Sequence, residues 1–314
     1  MSDAPAPTRE RTLGGVYALL AYLLWGILPL YFLALAPIGP FELVAWRVLL
    51  SLVFCVVLLT VTRGWATLAR IMRLPRLLGL SALAGVLIYI NWQVFVVAAL
   101  SGHVIETSLG YFINPIVTVL LGVLLLHERL RRIQWVAIGI AAVAVGVIVV
   151  GYGAFPWIAI TLALSFGAYG LVKKTIGPSV DAVSGLTLET MWLTPVAVVT
   201  LIVVASLGGV TGFSQGAWHT VMLLGAGVVT AIPLLLFAAG ARRVPLSVMG
   251  LLQFLTPVMQ FITGAWLLGE PMSLERWIGF GLVWLALVLL TIDSLAAARR
   301  ARSETDASDL AELT

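Results

Sequence analysis

The sequence predicts an all-α polytopic membrane protein, in which ten transmembrane helices form two inverted five-helix repeats around a central cavity. Three observations lead to this fold class. Apolar residues make up 61% of the 314-residue chain. Basic residues collect at alternate ends of the apolar segments, and the second half of the chain repeats part of the first half at a fixed spacing.

The composition excludes an ordinary soluble domain. Charged residues account for only 10% of the chain, and the mean hydropathy is +1.10. Soluble proteins carry about 25% charged and about 45–50% apolar residues, so this excess of apolar surface needs lipid as its solvent. The single cysteine, Cys55, lies in an apolar run, which rules out a disulfide framework and favours a packing role.

Ten apolar segments are long enough to cross a bilayer, which takes about 20 mostly apolar residues. They run over residues 14–35, 41–62, 77–99, 103–126, 131–150, 154–173, 183–206, 217–240, 246–268 and 275–296. The connections are short except for 63–76 and 207–216, and they leave no room for an inserted catalytic domain.

The basic residues give the orientation. Sixteen of the 18 fall on one face of this arrangement, and only Arg47 and Arg276 lie elsewhere. That face is cytoplasmic by the positive-inside rule, so we expect a cytoplasmic tail over 1–12 and a disordered cytoplasmic tail over 297–314. A cleaved signal peptide at the N-terminus is the alternative, but the first apolar run exceeds the 7–15 residues typical of one.

The chain matches itself without gaps when it is shifted by 142 positions. The shift superimposes Phe112, Pro115, Gly122, Glu128 and Trp135 on Phe254, Pro257, Gly264, Glu270 and Trp277. We place the two repeats at 13–150 and 151–296. Because each holds five spans, the second enters the membrane inverted, a construction typical of secondary transporters whose substrate site lies where the repeats meet.

Polar residues interrupt the predicted spans at comparable depth. The segment ETSLGYFINP (106–115) and its repeat partner GLLQFLTP (250–257) both place polar residues ahead of a proline. We predict helix breaks at Gly110, Pro115, Pro233 and Pro257, which membranes tolerate only beside protein or a water-filled cavity. The candidate substrate-binding residues of that cavity are Asn91, Gln93, Tyr111, Asn114, Gln253, Thr256 and Gln260. The alternative is that these groups only join helices to each other.

A few charges lie within the spans, where charge is costly and therefore a candidate for function. Glu106 leads into the polar segment and is the first candidate for ion coupling, although a glutamate near a helix start also acts as a cap. Glu189 and Arg47 are further coupling candidates. The alternative is a structural ion pair for each, between Arg47 and Glu42 or Glu106, and between Glu189 and Lys173 or Lys174. Glu42 itself is expected at the outer headgroup level.

Enzymatic chemistry finds no support. All three histidines fall at span ends, and with one cysteine and no membrane-embedded pair of aspartates the chain offers no metal site and no carboxylate dyad. Neither a nucleophile elbow nor a phosphate-binding loop is present. We expect no cofactor, no metal and no nucleic-acid partner.

Several motifs resemble the RarD group of the EamA-type transporters, within the drug/metabolite transporter superfamily. They are YLLWGILPLYF, LGYFINPIVTVLLGVLLLHERLRRIQW, LSFGAYGLVKK and LETMWLTPVA, and the likeness extends over about 13–296. The resemblance implies ten helices in two inverted repeats, a small-molecule permease or exporter, and a bacterial cytoplasmic membrane. The motif positions that this chain shares with the group include Trp25, Gly26, Arg47, Asn91, Trp92, Glu106, Gly110, Tyr111, Asn114, Pro115, Glu189 and Pro233.

The sequence thus predicts a secondary transporter, an exporter by resemblance, that works by alternating access. The polar but nearly uncharged lining favours a small neutral or zwitterionic metabolite or drug. The alternative from another class is a membrane scaffold or sensor that transports nothing. The expected partners are the lipid bilayer and the substrate, and the oligomeric state stays open.

Overall fold

The computed structural model describes residues 8–101, 104–152, 157–262 and scattered positions between 274 and 292. The regular secondary structure of these residues consists of helices alone. The eleven helices are α1 (Thr8–Ala34), α2 (Pro40–Val61), α3 (Trp65–Met72), α4 (Pro75–Leu100), α5 (Val104–Leu126), α6 (Arg132–Tyr152), α7 (Trp157–Ile176), α8 (Ala182–Ser206), α9 (Ala217–Arg243), α10 (Leu246–Gln253) and α11 (Leu255–Ile262).

Helices lie at nine of the ten predicted spans, and the tenth falls where only scattered residues are described. Among the described residues, five helical stretches are long and apolar enough to cross a membrane: 9–32, 40–61, 75–98, 182–206 and 217–243. Shorter apolar stretches run over 110–126, 132–147 and 246–259. The structure therefore supports a multi-pass membrane protein.

The helices begin where their sequences provide the start signals. Prolines at the first position open α2 and α4, where a missing N–H costs nothing. Asp181 caps α8 by accepting a hydrogen bond from the Ser184 N–H at 2.9 Å. Gly216 precedes α9 with a φ of 93°, in the left-handed region that favours glycine.

One connection differs from the sequence expectation, and the ninth span shows a break close to the one predicted at Pro257. The connection 63–76 contains the short helix α3, which buries Leu68 and Ile71 and exposes Trp65. The ninth span is interrupted at Phe254, between α10 and α11. Pro257 explains this break, because its ring clashes with the carbonyl group four residues earlier.

The other predicted breaks do not interrupt their helices. Gly110 and Pro115 lie inside the continuous α5, and Pro233 lies inside the continuous α9. A single proline frees one carbonyl group, and neighbouring membrane helices accommodate that loss. Gly110 packs closely on α7, where an added Cβ would lie 3.2 Å from the Ala159 carbonyl oxygen. Gly110 therefore allows close packing of α5 on α7 and does not break the helix.

The chain forms two compact units. The first comprises residues 1–128 and 155–270, and the second comprises 129–154 and 271–314, including α6. Within the first unit, α1 packs against α9 and α11, while α7 packs against α4 and α5. In the same unit, α2 packs against both α8 and α9.

Candidate functional site

The first unit contains a partly open cavity of about 70 Å³. Its walls come from α1, α2, α4, α5, α7, α10 and α11. The lining residues are Tyr22, Trp25, Leu28, Phe32, Arg47, Asn91, Trp92, Phe95, Tyr111, Asn114, Phe166, Gln253 and Thr256. A cavity with apolar and aromatic walls and a few polar groups is the usual form of a small-molecule site.

The structure brings five of the seven candidate binding residues to this cavity: Asn91, Tyr111, Asn114, Gln253 and Thr256. Gln93 is not among the lining residues, and neither atom of its buried amide has a hydrogen-bond partner in the described part of the chain. The side chain of Gln260 lies outside the described residues.

Several lining amides also connect helices. Asn91 donates from Nδ2 to the Leu162 carbonyl at 3.0 Å and to Ser165 Oγ at 3.1 Å. Asn114, with its amide nitrogen facing α7, donates to the carbonyls of Leu162 and Ala163 at 3.2 and 2.9 Å. Both α4 and α5 are therefore held to the same turn of α7.

The remaining polar lining links α10 and α11 to their neighbours. Thr118 donates to Gln253 Oε1 at 3.2 Å, which joins α5 to α10. Thr256 donates to the Tyr22 carbonyl at 3.2 Å, which joins α11 to α1. These contacts give the polar residues a structural role in addition to lining the cavity.

Aromatic side chains form most of the wall, and the polar pattern alone does not identify them as lining. Trp25 meets Phe166 edge to face at 5.3 Å between ring centroids, and Phe95 meets Tyr111 in the same way at 5.6 Å. The signal that could have found them is the spacing of Tyr22, Trp25 and Phe32, which places all three on one face of α1.

Arg47 is the only charged side chain among the described lining residues, and only 4% of its surface is exposed. Its Nε donates to Thr230 Oγ1 at 3.0 Å. Its guanidinium carbon lies 4.7 Å from the centroid of the Phe32 ring and 4.7 Å from that of Trp92. Of its two expected partners, Glu42 binds elsewhere, and the side chain of Glu106 lies outside the described residues.

Glu42 is buried and holds a loop. It accepts hydrogen bonds from the backbone N–H groups of Thr211 and Gly212, each at 2.9 Å, and from Trp46 Nε1 at 3.3 Å. His219 contacts the carbonyl oxygens of Gly212 and Leu35 at 2.8 and 2.9 Å. Together these two side chains fix the connection between α8 and α9 to α2 and the end of α1.

Glu189 lies outside the cavity lining and forms a buried ion pair. Its Oε1 lies 2.5 Å from Lys173 Nζ, and its Oε2 accepts from the Tyr169 hydroxyl at 3.2 Å. Lys174 instead donates to the Val244 carbonyl at 2.6 Å. Tyr169 stacks on Phe237, which in turn contacts Phe166 of the cavity wall.

In the part of the chain that the structure describes, no group of histidine, cysteine and acidic residues could hold a metal ion. What the cavity offers chemically is recognition by one cation, by amide and hydroxyl groups and by aromatic faces.

Comparison with known proteins places these features in context. The EamA-like transporter family matches the chain twice, over residues 12–151 and 156–292. "Protein RarD" of Streptomyces exfoliatus is 44% identical over 303 residues, which cover 96% of this chain and 95% of that protein. An "uncharacterized transporter" of Vibrio cholerae is 40% identical, covering 92% and 96%. A crystal structure with a TM-score of 0.67 and 18% identity covers 89% of this chain and 97% of its own, and it shares the fold.

Proposed function

Because this chain belongs to the EamA-like transporter family, we propose that it is a secondary transporter that moves a small metabolite through the cavity by alternating access. The family match and the apolar helices make the chain a membrane transporter of this family. The observation that carries the proposal is the cavity itself, because polar side chains and a cation face a space between apolar helices.

The architecture that we propose has ten transmembrane helices in two inverted repeats, over 13–150 and 151–296. The double match of the family supports it, since each half matches separately. The packing within the first unit supports it as well. In this arrangement α1 is equivalent to α7, α4 to α9, and α5 to the span that contains α11. The packing of α1 against α9 and α11 therefore corresponds to the packing of α7 against α4 and α5. Such an exchange of partners is expected for two repeats related by a two-fold axis.

The glycines give independent support. Gly85 of α4 and Gly227 of α9 stand 142 positions apart, the spacing of the repeat. An added Cβ on Gly85 would lie 3.1 Å from the Glu189 carbonyl oxygen of α8, and one on Gly227 would overlap the Leu50 carbonyl of α2. Equivalent glycines thus allow equivalent close approaches of the backbone.

We place both termini in the cytoplasm and the protein in the bacterial cytoplasmic membrane, with export as the direction. The distribution of basic residues supports the orientation. The cavity of about 70 Å³ is smaller than the roughly 300–1,000 Å³ of drug-sized sites, which favours a small metabolite over a bulky drug. Its polar groups suit a neutral or zwitterionic compound.

Transport can be tested with the full-length protein in sealed liposomes that contain a pH dye. Neutral amino acids and chloramphenicol are added outside, and the wild type is compared with Glu106→Gln. We expect a substrate-dependent proton flux that this variant loses. Glu128→Gln is the control, because Glu128 binds backbone groups at the start of α10 and lies outside the lining.

Two results would change this proposal. Proton flux retained by Glu106→Gln would move the coupling site to Glu189 or Glu42. If neither labelled substrates nor protons move for any compound in the panel, the proposal that the protein transports these compounds is wrong. The scaffold alternative then gains support.

The scaffold alternative is favoured by one observation, namely that Asn91 and Asn114 both bind α7 directly. It predicts that Asn114→Ala and Gln253→Ala lower the melting temperature while no substrate changes it. The transporter proposal predicts instead that both variants alter substrate affinity, measured by binding to the purified protein.

A further inference from the structure

Arg47 presents an unusual combination of burial and unused hydrogen-bonding capacity. The guanidinium group has five N–H donors, and one of them, on Nε, binds Thr230. The rings of Phe32 and Trp92 lie close to it at equal distances of 4.7 Å. The four donors on the two Nη atoms have no partner among the described residues, and Arg47 lines the cavity.

The cation has no acidic neighbour in the described lining. None of the other described lining residues is an aspartate or a glutamate. Glu42, five positions earlier in α2, is occupied by the backbone of residues 211 and 212. A buried charge is costly unless a partner of opposite charge and good geometry meets it. The described lining thus leaves the charge of Arg47 unmatched, and the side chain of Glu106, its other expected partner, lies outside the described residues.

From this geometry we infer that the cavity binds a small organic carboxylate, with the carboxylate group on the Nη atoms of Arg47 and an apolar body among the aromatic side chains. This rests on the proposed function only in taking the cavity as the substrate site, and it replaces the neutral or zwitterionic compound proposed there with an anion. The fork of a guanidinium matches the two oxygens of a carboxylate, and such bidentate, charge-assisted bonds are among the strongest in proteins. The Thr230 bond fixes the fork before the ligand arrives.

The aromatic walls would contact the apolar part of the ligand. Trp25, Phe95 and Phe166 surround the space with ring surfaces that suit an apolar or aromatic body. A phosphate dianion suits the site less well, because only one cation is present in the described lining. The same lining lacks a described acidic group for an ammonium ion, so a simple carboxylate matches better than an amino acid.

A matched pair of ligands tests the inference on the wild-type protein. Binding of phenylacetate and of phenylacetamide, its uncharged counterpart, is measured by calorimetry on the full-length protein in detergent. We expect phenylacetate to bind at least about tenfold more tightly, as a charge-assisted bond would give. Equal binding of the two compounds, or tighter binding of the amide, overturns the inference without any mutation.

Variants then test the role of Arg47. Arg47→Gln should abolish the preference for phenylacetate, and Arg47→Lys should reduce it, because lysine keeps the charge and loses the fork. Thr230→Val should weaken phenylacetate binding while leaving phenylacetamide unaffected. A preference that survives in folded Arg47→Gln protein assigns the carboxylate to another group and overturns the inference.

Two further ligands separate the alternatives. Sodium sulfate tests for a site that accepts any small anion. If sulfate displaces phenylacetate at equal concentration, the site is not specific for a carboxylate and the inference is contradicted. L-Phenylalanine bound about tenfold more tightly than phenylacetate would show that the ammonium group is recognised too, which also contradicts the inference. Because binding in detergent requires no translocation, failure of the transport assay leaves this result unaffected.

Discussion

Four charged side chains are buried among the described residues, in three different environments. Glu42 binds a loop backbone, Lys173 and Glu189 bind each other, and Arg47 faces the cavity. Of these four, only Arg47 lines the cavity. Charge within a membrane helix therefore marks both structural joints and recognition sites, and the partner decides between the two roles.

The contribution of the Lys173–Glu189 pair to stability can be tested by removing one or both charges. Glu189→Gln or Lys173→Met leaves the other charge buried and unmatched, so each should cost about 3–5 kcal/mol of unfolding free energy. The double variant Lys173→Met with Glu189→Met should recover most of this loss. Thermal unfolding in detergent measures all three.

The same double variant decides whether Glu189 couples transport to protons. We expect its transport per folded molecule to match that of the wild type, because the pair lies outside the cavity lining. If the double variant is stable but moves substrate without protons, Glu189 is a coupling residue and the structural reading of the pair is wrong.

Close contacts between helices depend on glycine. Gly227→Ala would place a methyl group against the Leu50 backbone of α2, which cannot move aside as a flexible side chain would. We expect a loss of about 1–3 kcal/mol in the unfolding free energy, as overpacking gives.

Gly79→Ala is the matched control for Gly227→Ala. It is also a helical glycine, but nothing lies within 4 Å of the added Cβ. This change should raise stability by about 0.5–1 kcal/mol, because alanine favours the helix. Equal effects of the two substitutions would show that helix propensity, and not contact, governs both positions.

The start of α10 depends on an acidic residue from a distant part of the chain. Glu128 accepts from the backbone N–H groups of Leu246 and Ser247 at 2.7 and 2.8 Å. Glu128→Ala should cost about 1 kcal/mol, as the loss of an N-terminal cap does, and should lower the melting temperature.

Glu128→Gln refines this prediction. It keeps the side-chain length and one acceptor oxygen, so we expect an intermediate melting temperature. A melting temperature of Glu128→Ala equal to that of the wild type would mean that the contact with α10 contributes nothing to stability.

Helices of this protein could be predicted well from sequence, because a run of about 20 apolar residues leaves few alternatives in a membrane. Which of the predicted breaks interrupts its helix could not be predicted. The helix α5 continues through Pro115, whereas the ninth span breaks at Phe254 ahead of Pro257, although the two prolines stand 142 positions apart in matching sequence. Only the neighbours of each helix, which no local pattern reveals, distinguish them.

For the whole molecule, the orientation in the membrane yields a prediction. With Cys55→Ala as background, single cysteines are placed at Ser179, between α7 and α8, and at Ser214, between α8 and α9. Both positions are exposed. In intact cells, a membrane-impermeant maleimide should label Ser214→Cys and not Ser179→Cys, and lysis should make both reactive.

The opposite labelling pattern would invert the topology and contradict the orientation drawn from the basic residues. Labelling of both positions in intact cells would contradict the assignment of α8 as a transmembrane helix. Either result can be read directly, because the chain has no other cysteine.

The cavity could be predicted in part. Polar residues inside apolar segments are rare enough to stand out, and Asn91, Tyr111, Asn114, Gln253 and Thr256 do line it. The aromatic wall could not be found in that way, since Trp25 or Phe166 in an apolar span is equally expected to pack against another helix or lipid. The position of Arg47 between two rings depends on α1, α2 and α4 meeting, which is a tertiary property.

The described lining residues are unevenly shared between the two halves of the chain. Residues up to Asn114 supply ten of them, whereas the described part of the second half supplies Phe166, Gln253 and Thr256. In a chain with two similar halves, this imbalance has an evolutionary consequence. Selection for a new substrate acts mainly on the first half, and the second half is free to diverge wherever it preserves packing. Relatives that differ in what they carry should therefore differ most in the first 114 residues.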